Sequence, residues 1–322
     1  MPAGLLLREP LSRTGFRGPV CVFTEENGMT SRRIKENLVA YSFILPNFLG
    51  FMIFTLGPII FAVYLAFTTW NGSGPITFVG FKNFKNLFTD KLFLTALKNT
   101  LVYCAAVVPL TVVASLFLAT MLNQKIFARN FFRTVNFFPY VASLVAVAVV
   151  WNMIFNPAKG PVNQLLMLFG VPETALPRWA ADKNWAMFTV VLFSVWKNTG
   201  YYMIIYLAGL QGISAQLYEA ATLDGSNKWQ QFKYVTLPQL RPTTFFVIVM
   251  LTIQSFKVYD QIYMITQGGP GSSTLVLVYH IYNTAFIDWE LGYASAVAMI
   301  LFLLVLVVTL IQFHGEKKYA ND

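Results

Sequence analysis

Charge is scarce in this chain of 322 residues: Asp, Glu, Lys and Arg make up 11%, where soluble domains carry about 25%. With 56% hydrophobic and 16% aromatic residues, that scarcity argues against a soluble domain and for a membrane protein. Cysteine is nearly absent. Cys21 falls in a Gly- and Pro-rich start and Cys104 inside an apolar run, so neither a disulfide between them nor a cysteine metal site is expected. Histidine is as rare: His280 and His314 flank an apolar run, which excludes an H-E-x-x-H helix or a local His-Asp pair, and no metal site is expected. There is no G-x-x-x-x-G-K-[ST] stretch, so any ATP that drives this protein is bound by another subunit. No basic cluster interleaved with aromatics suggests nucleic acid.

What is present is six apolar runs, at about 38 to 69, 97 to 122, 134 to 155, 186 to 210, 243 to 265 and 293 to 313. Each reaches the roughly 20 residues that cross a bilayer as a helix. They are continuous rather than alternating, which excludes the ten-residue strands of a membrane barrel. The expected fold is therefore all-α and polytopic, with six transmembrane helices. If the N-terminus is cytoplasmic, segments 1–37, 123–133, 211–242 and 314–322 lie inside and hold 14 of the 23 basic residues. That bias has the sign of the positive-inside rule and places both termini in the cytoplasm. Much of the formal charge of +9 is then an anchoring pattern. A shorter apolar segment at about 274 to 286 is read as a surface helix in the last outer loop, too short to span.

Residues 1–28 hold three prolines and four glycines without helical period, and no signal-peptide cleavage site follows the short apolar patch at Leu5 to Leu7. They are read as a disordered tail, with Met29 a natural alternative start. A basic cytoplasmic segment, 29–37, the membrane domain, 38–313, and a cytoplasmic tail, 314–322, complete the division.

Between the fourth and fifth runs lies a polar, helix-prone interlude ending in EAATLDGSNKWQQFKYVTLPQLRP. Residues 215 to 223 are helix formers, with Ala220 and Ala221 allowing close approach of another backbone. Asp224 and Gly225 supply a turn, glycine tolerating the left-handed conformation that ends many helices. Ser226 can cap a second helix whose Trp229, Phe232, Tyr234 and Val235 form an aromatic face. Leu237 and Pro238 end it, and Pro242 suits the first turn of the next membrane helix. Physics alone allows two roles for such a hairpin, an interfacial anchor or a docking element.

The residues Glu219-Ala220-Ala221, then Gly225, then Leu237-Pro238, resemble the EAA loop of ABC importer permeases. LAGLQGISAQLYEAATLDGSNKWQQFKYVTLPQLRP and SFKVYDQIYMITQGGPGSSTLVLVYHIY are similar, more narrowly, to the maltose-type carbohydrate permeases. VGFKNFKNLF and GPVNQLL match weaker markers of that family, and the likeness runs from about residue 38 to 313. It implies the type I permease fold and a subunit that is no enzyme. This subunit couples to a separate ATPase dimer, which binds ATP and Mg, through Glu219, Ala220, Ala221, Asp224, Gly225, Leu237 and Pro238. It also implies a second, homologous permease subunit, an extracytoplasmic solute-binding protein, a carbohydrate substrate and the bacterial or archaeal inner membrane. The chain lacks the extra amino-terminal helices and large outer domain of the maltose permease itself, and the extended tail of the other permease. It therefore resembles the first member of a pair of unlike permeases.

Polar residues inside the runs are costly unless they face a cavity or the bundle interior. Ser194, Asn198, Tyr201 and Tyr202 recur at helical spacing, as do Gln254, Lys257 and Gln261, with Asp260 close to Lys257. Asn198, Tyr201, Tyr202, Gln254, Lys257 and Asp260 are the candidates for a substrate path, since amides and phenols suit sugar hydroxyls and faces. The other reading makes them helix-packing hydrogen bonds, with Lys257 and Asp260 neutralising each other. Lys197 and Lys257 leave open an acidic substrate such as a uronate, a sugar phosphate or glycerol phosphate. A secondary transporter is the rival class; it would put its sites on broken helices of an internal repeat, and none is seen.

Overall fold

The computed structural model describes residues 26–124 and 127–320. Of the expected tail, residues 1–25 lie outside the described residues, while 26–28 already belong to the first helix. That helix, α1, covers Glu26–Phe51 and continues through a π turn, Met52–Leu56, into α2, Gly57–Ala66. Residues up to Ile59 and from Ile60 onward form two compact units.

After the end of α2, the second unit continues with a two-residue antiparallel ladder, β1 (Thr68–Thr69) on β2 (Thr77–Phe78). A short α3, Lys82–Leu87, leads to α4, Lys91–Leu122. Then come α5 (Arg129–Val141), α6 (Leu144–Ile154), α7 (Pro161–Leu168) and α8 (Lys183–Gln211). Beyond α8 lie α9 (Ala215–Leu223), α10 (Lys228–Gln231), α11 (Leu237–Gln239), α12 (Arg241–Phe256), α13 (Asp260–Ile265), α14 (Leu277–Phe286) and α15 (Leu291–Ala320). The segment expected as a surface helix is α14, but Leu277, Tyr279, His280, Thr284 and Ala285 are buried and only Phe286 is exposed, so this helix is packed into the protein rather than lying on its surface.

Among the described residues, three helices are long and apolar enough to cross a membrane: Glu36–Ala66, Lys91–Leu122 and Leu291–Glu316. Two more qualify if bent pairs count as single spans, α5 with α6 (100°) and Lys228–Gln239 with Arg241–Phe256 (64°). Two expected runs are thus not straight helices. The third is broken at Ala142 and Ser143, and the fifth ends at Phe256, with residues 257–259 separating α12 from α13. The fourth run, α8, spans about 43 Å at 1.5 Å per residue over its 29 residues, yet is not among the apolar set. Its Ser194, Lys197, Asn198 and Thr199 are buried inside the protein, so lipid does not set its composition.

Around α8 the core is built. Val190 and Phe193 join Phe93, Ala96, Tyr103 and Val107 of α4 in one buried cluster. Tyr202, Met203, Tyr206 and Leu207 join Ala119, Leu122, Val247 and Leu251 in another. The Tyr103 hydroxyl donates to Ser194 Oγ at 2.8 Å, so Ser194 serves helix packing. Where α8 crosses α5 the backbones nearly touch: a Cβ on Gly200 would sit 1.8 Å from the Asn136 carbonyl oxygen. Only glycine permits that approach.

Gly200→Val is expected to prevent the α5–α8 contact, an overpacking of a tight site. Size-exclusion chromatography in detergent should show loss of the monodisperse peak. Gly315→Ala, where an added Cβ meets nothing within 4 Å, should elute as wild type; equal behaviour of the two variants would refute the close crossing.

Candidate functional site

The polar interlude folds as a helical hairpin on the end of α8. Ser214 caps α9, accepting from the Gln216 amide at 3.3 Å. At the far end Gly225 has φ +78°, its amide donates to the Thr222 carbonyl and that of Ser226 to Ala221, both at 3.0 Å. These two bonds make a Schellman close, with Gly225 at the left-handed position. Ser226 does not cap the next helix: its hydroxyl donates to the Ala221 carbonyl at 2.6 Å. Asn227 caps instead, in a reciprocal box with Gln230, because the Schellman turn has already engaged Ser226.

Nor do Leu237 and Pro238 end the second helix. The proline cannot supply an amide and crowds the carbonyl four residues back, and the chain absorbs this as a π turn, Phe232–Thr236, in which the Leu237 amide reaches the Phe232 carbonyl. The same device precedes Pro58, where the Gly57 amide reaches Met52. Helix continues to Gln239, then bends 64° into α12. Tyr218 Oη and Thr236 Oγ1 bond at 2.9 Å and Gln231 Nε2 donates to Thr222 Oγ1 at 3.0 Å, so the two arms hold each other. Glu219, Ala220, Asp224 and Leu237 are exposed and Ala221 and Pro238 half-buried. Beside them Leu223 is 89% and Trp229 69% exposed, a pair of apolar knobs on a rigid support. Among the described residues Glu219 has no ion pair within the chain.

The second candidate region lies where α5, α8, α12 and α13 meet. Pro139 stands in the last turns of α5, and the helix ends at Val141, the residue after Tyr140. Irregular backbone at membrane depth requires partners from neighbouring helices. Lys197 of α8 provides them: its Nζ donates to the carbonyls of Pro139 (2.9 Å) and Tyr140 (3.1 Å), a cation at the negative end of a helix. Tyr140 then stacks on Tyr201, ring centroids 4.4 Å apart, and Tyr201 meets Tyr202 edge-on at 5.0 Å. The Tyr202 hydroxyl donates to Gln254 Oε1 at 2.9 Å, tying α8 to α12.

These residues wall a cleft of about 330 Å³, to which Tyr140, Tyr201, Tyr202, Gln254, Lys257, Tyr259, Asp260 and Gln261 contribute. Of the six path candidates, five therefore come together. Asn198 does not: it is 5% exposed, on the turn before Tyr201, outside the lining. Lys257 and Asp260 share the cleft but form no ion pair among the described residues. Lys197 is engaged by backbone and is not a lining residue. Sequence reasoning missed Tyr140 and Tyr259, which lie at helix breaks; a proline beside a tyrosine in an apolar run was the available signal for Tyr140.

The family described as the inner membrane component of binding-protein-dependent transport systems matches residues 111–321. A probable ABC transporter permease protein of Bacillus subtilis, YurN, is 36% identical over 88% of this chain and 97% of its own length. The lactose transport system permease protein LacF of Rhizobium radiobacter is 35% identical over 86% and 93%. Among solved structures, a chain of a bacterial ABC transporter involved in the import of the acidic polysaccharide alginate superposes with a TM-score of 0.79 at 26% identity, covering 90% of this chain and 99% of that one. A bacterial alginate ABC transporter in complex with an alginate pentasaccharide-bound periplasmic protein is equally similar, with 89% and 97% covered.

Lys197→Met keeps the apolar stem and removes the ammonium, leaving two carbonyls at the α5 break without their donor. Hydrogen bonds to a charged group contribute about 1.5–3 kcal/mol each, so the purified protein should melt several degrees lower in a thermal-shift assay. An unchanged melting temperature would mean the clamp carries no stability.

Proposed function

This chain belongs to the family of inner membrane components of binding-protein-dependent transport systems, with the type I permease fold, and we propose that it forms half of the translocation path of an ATP-driven carbohydrate importer. The observation that carries the reading is the hairpin: a stiff, self-braced element with exposed apolar knobs, built on the end of α8 and continuous with α12. An ATPase outside the membrane moves membrane helices only through such an element, and the shift requires contacts that differ between two states. Glu219, Ala220, Ala221, Asp224 and Gly225 form its exposed end, and Leu237 and Pro238 its root on α12.

The partners follow from this role. A second, homologous permease completes the path, an ATPase dimer binds ATP and Mg and docks on the hairpin, and an extracytoplasmic protein delivers the sugar. In this arrangement both termini and the hairpin are cytoplasmic, in the inner membrane of a bacterium or archaeon. The cleft of Tyr140, Tyr201, Gln254 and Lys257 is the path's lining on this side. Stacked phenols offer faces to pyranose C–H groups, while Gln254 and Asp260 exchange hydrogen bonds with hydroxyls that leave water.

The substrate reading favours a neutral sugar over a uronate or a phosphate ester. Of the two lysines that left an acidic substrate open, Lys197 is engaged at the α5 break and Lys257 shares its cleft with Asp260. The relatives cover both kinds, lactose in one name and acidic alginate in another.

Two classes of variant should separate. Glu219→Lys and Gly225→Val are expected to reduce co-purification of the ATPase and to lower uptake at least tenfold. At Gly225 the effect comes from the backbone alone, since a side chain meets nothing within 4 Å but left-handed φ costs about 1–2 kcal/mol. Gln254→Leu should lower uptake with ATPase association intact. Retention of both ATPase binding and transport by the hairpin variants would remove it from the docking interface.

A further inference from the structure

On the opposite side of the chain from the hairpin, a second cleft of about 800 Å³ opens between the β1–β2 turn, α3 and the start of α15. Its frame is fixed in several places. Asn83 Nδ2 donates to the carbonyls of Ala66 and Thr68, both at 2.9 Å. A Cβ on Gly292 would lie 2.0 Å from the Thr68 oxygen, so α15 starts flush against β1. Tyr293 Oη donates to Asp90 Oδ2 at 2.6 Å, while Asp90 Oδ1 caps α4 by accepting from the Leu92 amide at 2.8 Å. Burial pushes the Asp90 carboxyl up, but the Tyr293 hydroxyl, the Leu92 and Phe93 amides and His280 outweigh it, leaving it below the usual carboxylate range. It remains an anionic acceptor.

Over this frame Trp289 is held open. Its backbone is left-handed, φ +57°, an outlier for an aromatic residue of the kind that surrounding structure must enforce. The ring rests against the turn at Gly72, where an added Cβ would meet it at 3.5 Å, yet the residue is 57% exposed. Around it the cleft presents exposed polar side chains, Asn71, Asn86, Lys82 and Glu290, and the Asn86 amide makes no side-chain hydrogen bond among the described residues. Trp70 forms another wall.

An aromatic face ringed by amides and carboxylates is the chemistry that holds a pyranose, stacking its C–H face and exchanging hydrogen bonds with its hydroxyls. The volume falls in the range of about 300–1,000 Å³ for small-molecule sites, whereas a protein partner needs a broad surface of about 800 Å² per side. Charge narrows the ligand: the lining carries one cation, Lys82, and two carboxylates, Asp90 and Glu290, a balance that disfavours an anionic sugar. We infer that this cleft is a second, neutral-saccharide site at the mouth of the permease, in which Trp289 stacks the sugar ring and Asn86 and Glu290 bond its hydroxyls. The inference rests on the carbohydrate reading above. Because stacking reads the ring face rather than the linkage, the site should accept lactose and maltotriose alike, at millimolar affinity, ahead of the path lined by Gln254 and Lys257.

A local probe tests it in the assembled transporter in nanodiscs, without the periplasmic protein. A trifluoromethyl label on Ser73→Cys, on the turn that lines the cleft, with Cys21→Ser and Cys104→Ala, reports by fluorine NMR. Lactose and maltotriose should each shift the resonance saturably, and trigalacturonate should not. Trp289→Ala and the exposed Asn86→Ala should each raise the half-saturating concentration at least tenfold. No saturable shift with either neutral sugar, or an equal shift with trigalacturonate, overturns the inference. So does a shift seen only when the periplasmic protein is added, which would make the cleft its docking surface. Uptake of labelled saccharides is measured in parallel: transport without the shift defeats this site alone, whereas the shift without any saccharide transport defeats the carbohydrate reading alone.

Discussion

Backbone that leaves a helix inside a bilayer has no water to turn to, and the arrangement around α8 follows from that constraint. The α5 helix stops after Pro139 and Tyr140, and Lys197 supplies the missing donors from 58 residues away. That clamp holds Tyr140 where it stacks on Tyr201, and the stacked pair is one wall of the cleft. The opposite wall is again a helix break, between α12 and α13, which frees Lys257 and Tyr259 from helical register and puts Asp260 at the start of α13. The cleft exists because two helices are interrupted at the same place.

Elsewhere the interruptions are absorbed without a break. Before Pro58 and before Pro238 one residue is looped into a π turn, so the chain passes each proline and stays helical. In the hairpin this has a mechanical result. The arm that carries Trp229 is joined to α12 by helix nearly throughout, with a single bend at Leu240, whose side chain is buried. Force applied at the exposed end reaches the Gln254 side of the cleft through hydrogen-bonded backbone.

How much of this the sequence made legible depends on how far apart the determining residues lie. The apolar runs were legible because lipid imposes composition residue by residue, and α8 fell below that standard because protein surrounds it. The turn at Gly225 was legible because its hydrogen bonds close within six residues. Ser226 and Asn227 are both good capping residues, and only the Schellman geometry decides between them. The break at Ala142 was not legible, since a proline in an apolar run signals a kink but not whether a lysine on another helix will support a full 100° turn. Asn198 shows the limit of spacing: helical period groups it with Tyr201, yet it is buried and outside the cleft lining. The cleft beside Trp289 left no periodic trace, being assembled from a turn, a short helix and the first turn of α15.

The crossing at Gly200 sets what is able to move. With Asn136 backbone against it and Lys197 bonded one turn away, α5 and α8 cannot slide or rotate past each other without losing both. The Tyr140–Tyr201 stack, with one ring on each of these helices, is fixed by the same two contacts. The α12 side is joined to that pair near the cleft by one side-chain hydrogen bond, Tyr202 to Gln254. Separating α12 from α8 means breaking this bond and also opening the buried cluster in which Tyr202, Met203, Tyr206 and Leu207 pack against Val247 and Leu251, so the hydrogen bond marks the seam while apolar packing sets its strength.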